Sequence, residues 1–140
     1  MTYKKHNLIG GTAANVIAHG KVYNTDVTDL WRQFTGRTDK PDLSETLPVR
    51  IGQATESLNA EWLAKTRDIV VDTKSATNQL YTHSNGFMIA QIDGMVYENG
   101  ETGLFEAKHT RVGKKMDELI DLYYPQIQHY LCVMDLPWAY

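Results

Sequence analysis

Two carboxylates and a lysine lie on the arms of a predicted β-hairpin, with Asp93 on the first arm and Glu106 and Lys108 on the second. The connecting turn contains Asn99-Gly100, a dipeptide that favours the positive φ angles needed at both central positions of a type I′ turn. Counting outwards from this turn places Asp93 directly opposite Glu106. Since side chains alternate along a strand, Lys108 falls on the same face of the sheet.

Opposed carboxylates in this register need a compensating positive charge, because like charges directly opposite, with Cβ atoms roughly 5 Å apart, destabilise a sheet. A divalent cation would supply it, since Mg²⁺ prefers oxygen ligands such as Asp93, Glu106 and the backbone carbonyl of Ala107. Such a cation lowers the pKa of water and stabilises charge on phosphorus, and Lys108 would orient that water or help to carry its proton. The pattern therefore indicates a metal-dependent phosphodiester hydrolase. The alternative is a surface salt bridge between Lys108 and its carboxylate neighbours.

A further carboxylate, Glu56, lies in the middle of an apolar seam on a helix predicted over about residues 48–65. The helix has two such seams. One is formed by Leu47, Ile51, Ala54, Leu58 and Trp62, and the one that contains Glu56 is formed by Val49, Gly52, Ala60 and Leu63. A charged carboxylate left unpaired in apolar surroundings is costly. Glu56 is therefore expected to face a polar group inside the protein, unless it sits at an edge where its head reaches solvent.

The remaining predicted elements are helices and strands that would position these side chains. Helices are expected over about residues 12–20, 25–34 and 125–135, with a helical turn or two over 116–124, and the last helix is expected to start at Pro125. Strands are expected over 68–73, 79–82, 87–97 and 102–109, and residues 138–140 resemble the start of another. The order predicts a mixed α/β or α+β domain with at least one antiparallel strand pair.

Bulk properties narrow the class of protein. At 140 residues the chain is long enough for one domain with a real core. Its net charge of −3 argues only weakly against binding nucleic acid, because carboxylates at metal ions count as negative yet are neutralised in a working site. The single cysteine excludes an internal disulfide and a cysteine-based zinc site, and the five histidines show no ligand spacing. No stretch approaches the ~20 apolar residues of a membrane span, so a cytosolic protein is expected.

Several short motifs resemble, in the same order, those of the YqaJ-like viral recombinase nucleases. That family is similar to lambda exonuclease and belongs to the PD-(D/E)XK superfamily, and the resemblance covers nearly the whole chain. The motifs are Ile9-Gly10-Gly11-Thr12-Ala13-Ala14, Asp29-Leu30-Trp31, Arg50-Ile51-Gly52-Gln53-Ala54-Thr55-Glu56, Ile92-Asp93-Gly94, Phe105-Glu106-Ala107-Lys108 and Tyr124-Pro125-Gln126-Ile127-Gln128-His129-Tyr130.

The resemblance implies a restriction-endonuclease-like core, in which helices flank a mixed central β-sheet, and a site that holds two Mg²⁺ or Mn²⁺ ions. Asp93 and Glu106 match the metal ligands of the family, together with the carbonyl of Ala107, and Lys108 matches its catalytic lysine. Glu56 matches the helix acid that reaches the second metal, often through water.

Two more positions take their roles from the resemblance alone. Gln126 resembles the helix glutamine that supports the lysine and the site. Thr12 stands where relatives carry a Ser or Thr near the scissile phosphate.

The resemblance also implies partners. Members of the lambda type degrade one strand of double-stranded DNA from its 5′ end and pass the exposed 3′ strand to a single-strand annealing protein. Several form ring-shaped trimers around DNA, in which only the channel lining must be basic. Candidates for such a DNA-binding lining are Lys4, Lys5, Arg111, Lys114 and Lys115. A phage or prophage protein acting in the cytoplasm of a bacterial host is expected.

The chain departs from the family in two respects. The proline that gives the superfamily its name is absent, since Gln91-Ile92 precedes Asp93. Relatives continue beyond Tyr140 with another strand and helices, so residues 1–140 are expected to form a single nuclease domain that is a compact version, a truncated gene product or a fragment.

Two other functions remain open at this stage. A nuclease of the same fold could cut DNA internally or act on branched or single-stranded substrates. A catalytically idle DNA-binding module could also keep the fold, although the intact acids and lysine argue against it.

Overall fold

The computed structural model describes residues 8–110 and 112–140 of the chain. These residues form helices α1 (Gly11–His19), α2 (Val27–Phe34), α3 (Leu47–Arg67) and α4 (Met116–Met134), and strands β1 (Lys21–Val22), β2 (Thr25–Asp26), β3 (Val70–Asp72), β4 (Tyr81–Thr82), β5 (Ile89–Ala90), β6 (Gly94–Glu98) and β7 (Glu101–Phe105). The strands pair antiparallel as β1-β2, β3-β6-β7 and β4-β5. The prediction of a mixed α/β fold is confirmed.

The predicted hairpin is formed by β6 and β7, and its register is confirmed. Glu98 pairs with Glu101 across the turn, and the ladder continues to Gly94 opposite Phe105. The turn residues Asn99 and Gly100 have φ angles of 52° and 82°, as a type I′ turn requires. The next residue outwards on each arm, where the ladder ends, is a carboxylate.

Residues 138–140, which resemble the start of a strand in the sequence, form an isolated parallel bridge with β7. Leu104 N–H donates to Trp138 O at 2.9 Å, and Tyr140 N–H donates back to Leu104 O at 2.8 Å. Glu106 N–H donates to Tyr140 O at 3.0 Å, so the backbone of Glu106 is held just beyond the end of β7. A Cβ at Gly103 would overlap the indole of Trp138, so this segment can approach β7 only over glycine.

The continuous strands predicted over 87–97 and 102–109 were wrong in extent. The first arm is divided, because β5 pairs with β4 whereas β6 pairs with β3 and β7, and residues 91–93 lie between. Ala90, Ile92 and Val96 are all buried, so the alternating pattern runs through the change of partner and cannot reveal it. The second arm ends at Phe105, and the residues from Glu106 onwards leave the sheet.

The break predicted at Pro125 was also wrong, since one helix, α4, runs through it. Proline has no N–H to donate to the preceding turn, which usually ends or kinks a helix. Here the next N–H, that of Gln126, donates to the side-chain Oδ1 of Asn15 on α1 at 2.8 Å. Support from a neighbouring helix therefore accompanies the continuation of α4.

Helix α3 packs on the sheet through one of its two predicted seams. Ala60 is buried with Val96 and Phe105, and Leu63 packs against the same cluster. The other seam is not a core face, because Leu47, Leu58 and Trp62 are between 61% and 70% exposed. The seam that contains Glu56 is thus the one that faces the protein, as its position had suggested.

Helices α1 and α2 form a second cluster beside α4. Ala13, Val16, Val22 and Leu30 are buried there, and Leu122 of α4 packs against them. Helix α2 begins after Asp26 because the side chain of Asp26 accepts a hydrogen bond from Asp29 N–H at 2.9 Å, as an N-cap does. Among the helices of the described chain, none combines the length and apolar content needed to cross a lipid bilayer.

Candidate active site

A polar cleft of about 440 Å³ lies beside the end of the ladder that pairs β6 with β7. Its floor includes Asp93, which directly precedes β6, and Glu106, which directly follows β7. Its walls come from helix α3, from helix α4 and from the loop that precedes β4. The remaining lining residues are Gln53, Glu56, Ala76, Thr77, Asn78, Gln91, Ile92 and Tyr130. The hairpin and the helix acid, which were singled out separately in the sequence, therefore meet in one cleft.

Asp93 is fixed by the backbone of the opposite arm. Ala107 N–H donates to Asp93 Oδ2 at 2.7 Å, so the residue between Glu106 and Lys108 holds the carboxylate across the hairpin. Burial raises the pKa of Asp93, while this hydrogen bond and the charge of Lys108 partly oppose the increase. The carboxylate of Asp93 is therefore held in position, and the protein compensates its negative charge only in part.

Glu106 has two carboxylate oxygens in opposite situations. Oε1 accepts hydrogen bonds from Lys108 Nζ at 2.6 Å and from Gln126 Nε2 at 3.1 Å. Oε2 is buried and has no hydrogen-bond partner among the described residues. Burial raises the pKa of Glu106 to about 7, against the opposing charge of Lys108, and the nearby Asp93 adds to the increase. A buried carboxylate oxygen without a partner is costly, and a cation is the partner that would relieve that cost.

The donor set fits a hard divalent cation with an incomplete protein shell. Asp93 and Glu106 supply carboxylate oxygens, of which Glu106 Oε2 has no hydrogen-bond partner among the described residues, and Ala107, whose carbonyl is a further candidate ligand, directly follows Glu106. No three His, Cys, Asp or Glu side chains in the described chain are close enough to hold a metal together. Mg²⁺ usually binds through one or two carboxylates and keeps several waters, so two acids with open positions suit it.

Glu56 stands across the cleft from these two acids and is half-buried. Burial raises its pKa, and the charge of Asp93 raises it further. Glu56 and Asp93 therefore interact electrostatically, but among the described residues Glu56 does not form a metal-binding cluster with Asp93 and Glu106. This position suits an acid that acts through an intervening water or a second ion.

Lys108 lies between an acid and an aromatic ring. Its Nζ is 5.1 Å from the ring centroid of Tyr123, and the Tyr123 hydroxyl lies 2.9 Å from that of Tyr23. The side chain of Lys108 is 30% exposed, whereas that of its partner Glu106 is only 4% exposed. The ion pair thus joins a buried carboxylate to a partly exposed lysine, whereas a surface salt bridge would expose both side chains.

Gln126 joins the helix layer to the carboxylates. It is 5% exposed, and its Nε2 donates to both Glu106 Oε1 and the hydroxyl of Tyr130, each at 3.1 Å. Burial raises the pKa of Tyr130, and the charge of Glu106 raises it further. No role for Tyr130 was predicted from the sequence, although its spacing of four residues from Gln126 places both on one helix face.

Asn15 is the second residue of this site that the sequence analysis missed. It is 3% exposed and contacts Gln126 twice, through Gln126 N–H at 2.8 Å and through Gln126 Oε1 at 3.3 Å. The only signal in the sequence was a polar residue between two apolar positions of a short helix, Ala13 and Val16, which are both buried.

Three of the candidate DNA-contacting residues lie within the described part of the chain. Thr12 is exposed on the first turn of α1 and does not line the cleft. Lys114 and Lys115 are exposed immediately before α4. Arg111, Lys4 and Lys5 lie outside the described residues.

The raised pKa of Glu106 predicts how stability depends on pH when no metal is bound. The folded state binds a proton at Glu106 more readily than the unfolded state, so the contribution is fully present below about pH 4.5 and is lost as pH rises through about 7. The loss would amount to about 3 kcal/mol at most. Urea unfolding in excess EDTA at a series of pH values measures it.

Glu106→Gln is the matched control for that series. Asp26, Asp42 and Asp72 have pKa values lowered mainly by hydrogen bonds and change stability in the opposite direction, so only the difference between wild type and Glu106→Gln isolates Glu106. The wild-type free energy of unfolding should fall relative to that of the variant between pH 5 and pH 8. A difference that stays constant, or has the opposite sign, contradicts the environment described for Glu106.

Comparison with known proteins assigns the chain to one family. A family model described as "YqaJ-like viral recombinase domain" matches residues 2–137, which is nearly the full chain. No curated protein sequence matches the chain. The matched span includes both arms of the hairpin, the acid of α3 and the buried pair formed by α1 and α4.

Proposed function

Because this chain belongs to the family of YqaJ-like viral recombinase domains, which are nucleases of phage-type recombination, we propose that it is a metal-dependent DNA exonuclease. The proposed reaction is hydrolysis of phosphodiester bonds in linear double-stranded DNA, proceeding from the 5′ end towards the 3′ end. The proposed setting is the cytoplasm of a bacterial host. The observation that carries the proposal is the environment of Glu106, in which one carboxylate oxygen binds Lys108 and the other is buried without a hydrogen-bond partner among the described residues.

The proposed cation is Mg²⁺ or Mn²⁺, held by Asp93, Glu106 and the carbonyl of Ala107, with Glu56 directed to a second ion. When bound, the cations would activate water and stabilise negative charge on the phosphate. Lys108 is proposed to orient the attacking water and to help carry its proton, and the 2.6 Å contact between its Nζ and Glu106 Oε1 supports this role. Gln126 supports the same Glu106 oxygen and so holds the acid that anchors the lysine.

The proposed DNA contacts are one threonine and three basic residues. Thr12, exposed on α1, is proposed to approach the scissile phosphate, as the matching residue does in the family. Lys114, Lys115 and Arg111 are proposed to contact the backbone of the duplex, whose phosphates attract basic side chains without regard to sequence. A single-strand annealing protein and further copies of this chain, as in the ring-shaped trimers of relatives, are the proposed protein partners.

Digestion of three forms of the same DNA tests the proposed activity. Linear, nicked circular and covalently closed circular duplexes are incubated with the protein and Mg²⁺, and the linear form is labelled at either the 5′ or the 3′ end. We expect the linear duplex to be degraded with early release of the 5′ label, and the closed circle to stay intact. Cutting of closed circles would contradict the exonuclease and favour a nuclease of the same fold that cuts internally.

A further inference from the structure

The middle of α4 is supported by a side chain from another helix. Pro125 cannot donate a backbone hydrogen bond, and the N–H that follows it donates to Asn15 Oδ1 at 2.8 Å. The two helices are in close contact here, since a Cβ at Gly11 would lie 2.6 Å from Gln126 Cγ and from the ring of Tyr130. Asn15 thus acts on α4 as an N-cap side chain does, but within a helix and from 111 residues away.

The hydrogen bond from Gln126 N–H to Asn15 Oδ1 fixes the orientation of two side-chain amides, that of Asn15 and then that of Gln126. A backbone N–H can only donate, so Asn15 must present its oxygen to Gln126 N–H and its NH₂ group to the Gln126 side chain. Asn15 Nδ2 accordingly donates to Gln126 Oε1 at 3.3 Å. The NH₂ group of Gln126 is then turned towards Glu106 Oε1 and Tyr130, at 3.1 Å from each.

We propose that Asn15 is a positioning residue for the nuclease, which acts by fixing the amide of Gln126 so that it donates to Glu106. The inference rests on the proposed function, because Glu106 and Lys108 are the groups that Gln126 serves. With the Gln126 amide reversed, an oxygen would face Glu106 Oε1, and the acid that anchors Lys108 would lose a donor. Asn15 itself touches neither the substrate nor the reacting atoms.

Asn15→Asp keeps one of the two hydrogen bonds between Asn15 and Gln126 and removes the other. Aspartate keeps an oxygen for Gln126 N–H, but it places a second acceptor opposite Gln126 Oε1, which reverses the Gln126 amide. We expect kcat to fall about 10- to 100-fold, the usual effect of losing a hydrogen bond that orients a metal ligand, with KM for DNA changed less than about threefold. Ile17→Ala, on the half-exposed face of the same helix, is the control and should keep kcat within about twofold of wild type, as surface changes do.

A double-mutant cycle shows whether Asn15 acts through Gln126. In Gln126→Met the backbone N–H remains while the amide is gone, so adding Asn15→Asp should change kcat by less than about threefold. An equal loss in both backgrounds would overturn the inference, because Asn15 would then act by another route. Unchanged kcat in the single variant would overturn it as well.

A measurement without DNA or metal keeps the inference testable apart from the nuclease activity. We expect the Gln126 backbone amide of the wild-type protein to exchange its hydrogen slowly, and the NMR signals of its side-chain NH₂ to shift in Asn15→Asp. Exchange as fast as that of the exposed first turn of α4 would overturn the inference, even if the variant did not fold. A wild-type protein that cleaves no DNA with Mg²⁺ or Mn²⁺ would contradict the proposed function. The hydrogen-exchange rate of Gln126 would still show whether Asn15 holds the Gln126 amide.

Discussion

Lys108→Ala is expected to reduce the single-turnover rate of DNA cleavage by about 10³-fold, within the range for losing a group that transfers a proton. Lys108 is held by Glu106 on one side and by the ring of Tyr123 on the other, so its Nζ has a defined position beside the cleft. Truncation removes that group while Asp93 and its backbone partner at Ala107 remain in place. The rate of the chemical step should therefore fall, and duplex affinity should change little.

Single-turnover cleavage and a binding assay in Ca²⁺ measure the two quantities for Lys108→Ala separately. Lys40→Ala is a suitable control, since it removes a lysine from an exposed loop distant in sequence from the hairpin. A variant that binds and cleaves as wild type does would remove Lys108 from the mechanism. Loss of affinity with an unchanged rate of cleavage would give it a role in DNA binding only.

Asp93→Asn is expected to have a similarly large effect through a different property, the charge available to a cation. An asparagine oxygen can still accept the hydrogen bond from Ala107 N–H, so the hairpin should keep its geometry. The variant lacks the negative charge, and losing several kcal/mol of charge stabilisation corresponds to a decrease in rate of about 10³-fold. Affinity for Mn²⁺, measured by calorimetry, should weaken in parallel with the rate.

The result for Asp93→Asn is compared with that for Asp121→Asn, which neutralises an exposed acid on α4. The control should bind Mn²⁺ and cleave DNA as wild type does, because its charge lies outside the cleft. If Asp93→Asn retained both metal affinity and cleavage, Asp93 would be a structural residue that only holds Ala107. Because the backbone hydrogen bond survives the substitution, unfolding should not obscure the outcome.

Features set by local chemistry were predictable from the sequence. Asn99-Gly100 selects one turn type, and that turn fixes the register that brings Asp93 and Glu106 to the same end of the ladder. Residues 138–140 had the composition of a strand and form a parallel bridge with β7. Glu56 was conspicuous because a carboxylate interrupted an apolar seam, and that seam is the one that packs on the sheet.

Features set by tertiary contacts were not predictable in the same way. Both seams of α3 had helical spacing, and only the position of the sheet decides that Trp62 is exposed while Ala60 is buried. Pro125 would end most helices, and the N–H that follows it in α4 donates to Asn15, a residue far away in sequence. Glu106 Oε2 likewise has no hydrogen-bond partner among the described residues because neighbouring elements bury it, and the sequence around Glu106 does not reveal that burial.

The most direct test of the central claim is release of nucleotides from a linear duplex in Mg²⁺, followed by addition of excess EDTA during the reaction. The proposed mechanism predicts steady release that stops when EDTA is added and resumes when Mg²⁺ is restored, because it assigns Asp93, Glu106 and the carbonyl of Ala107 to a cation that activates water. Release that continues unchanged in EDTA, or no release with either Mg²⁺ or Mn²⁺, would contradict a metal-dependent nuclease site built on Asp93 and Glu106.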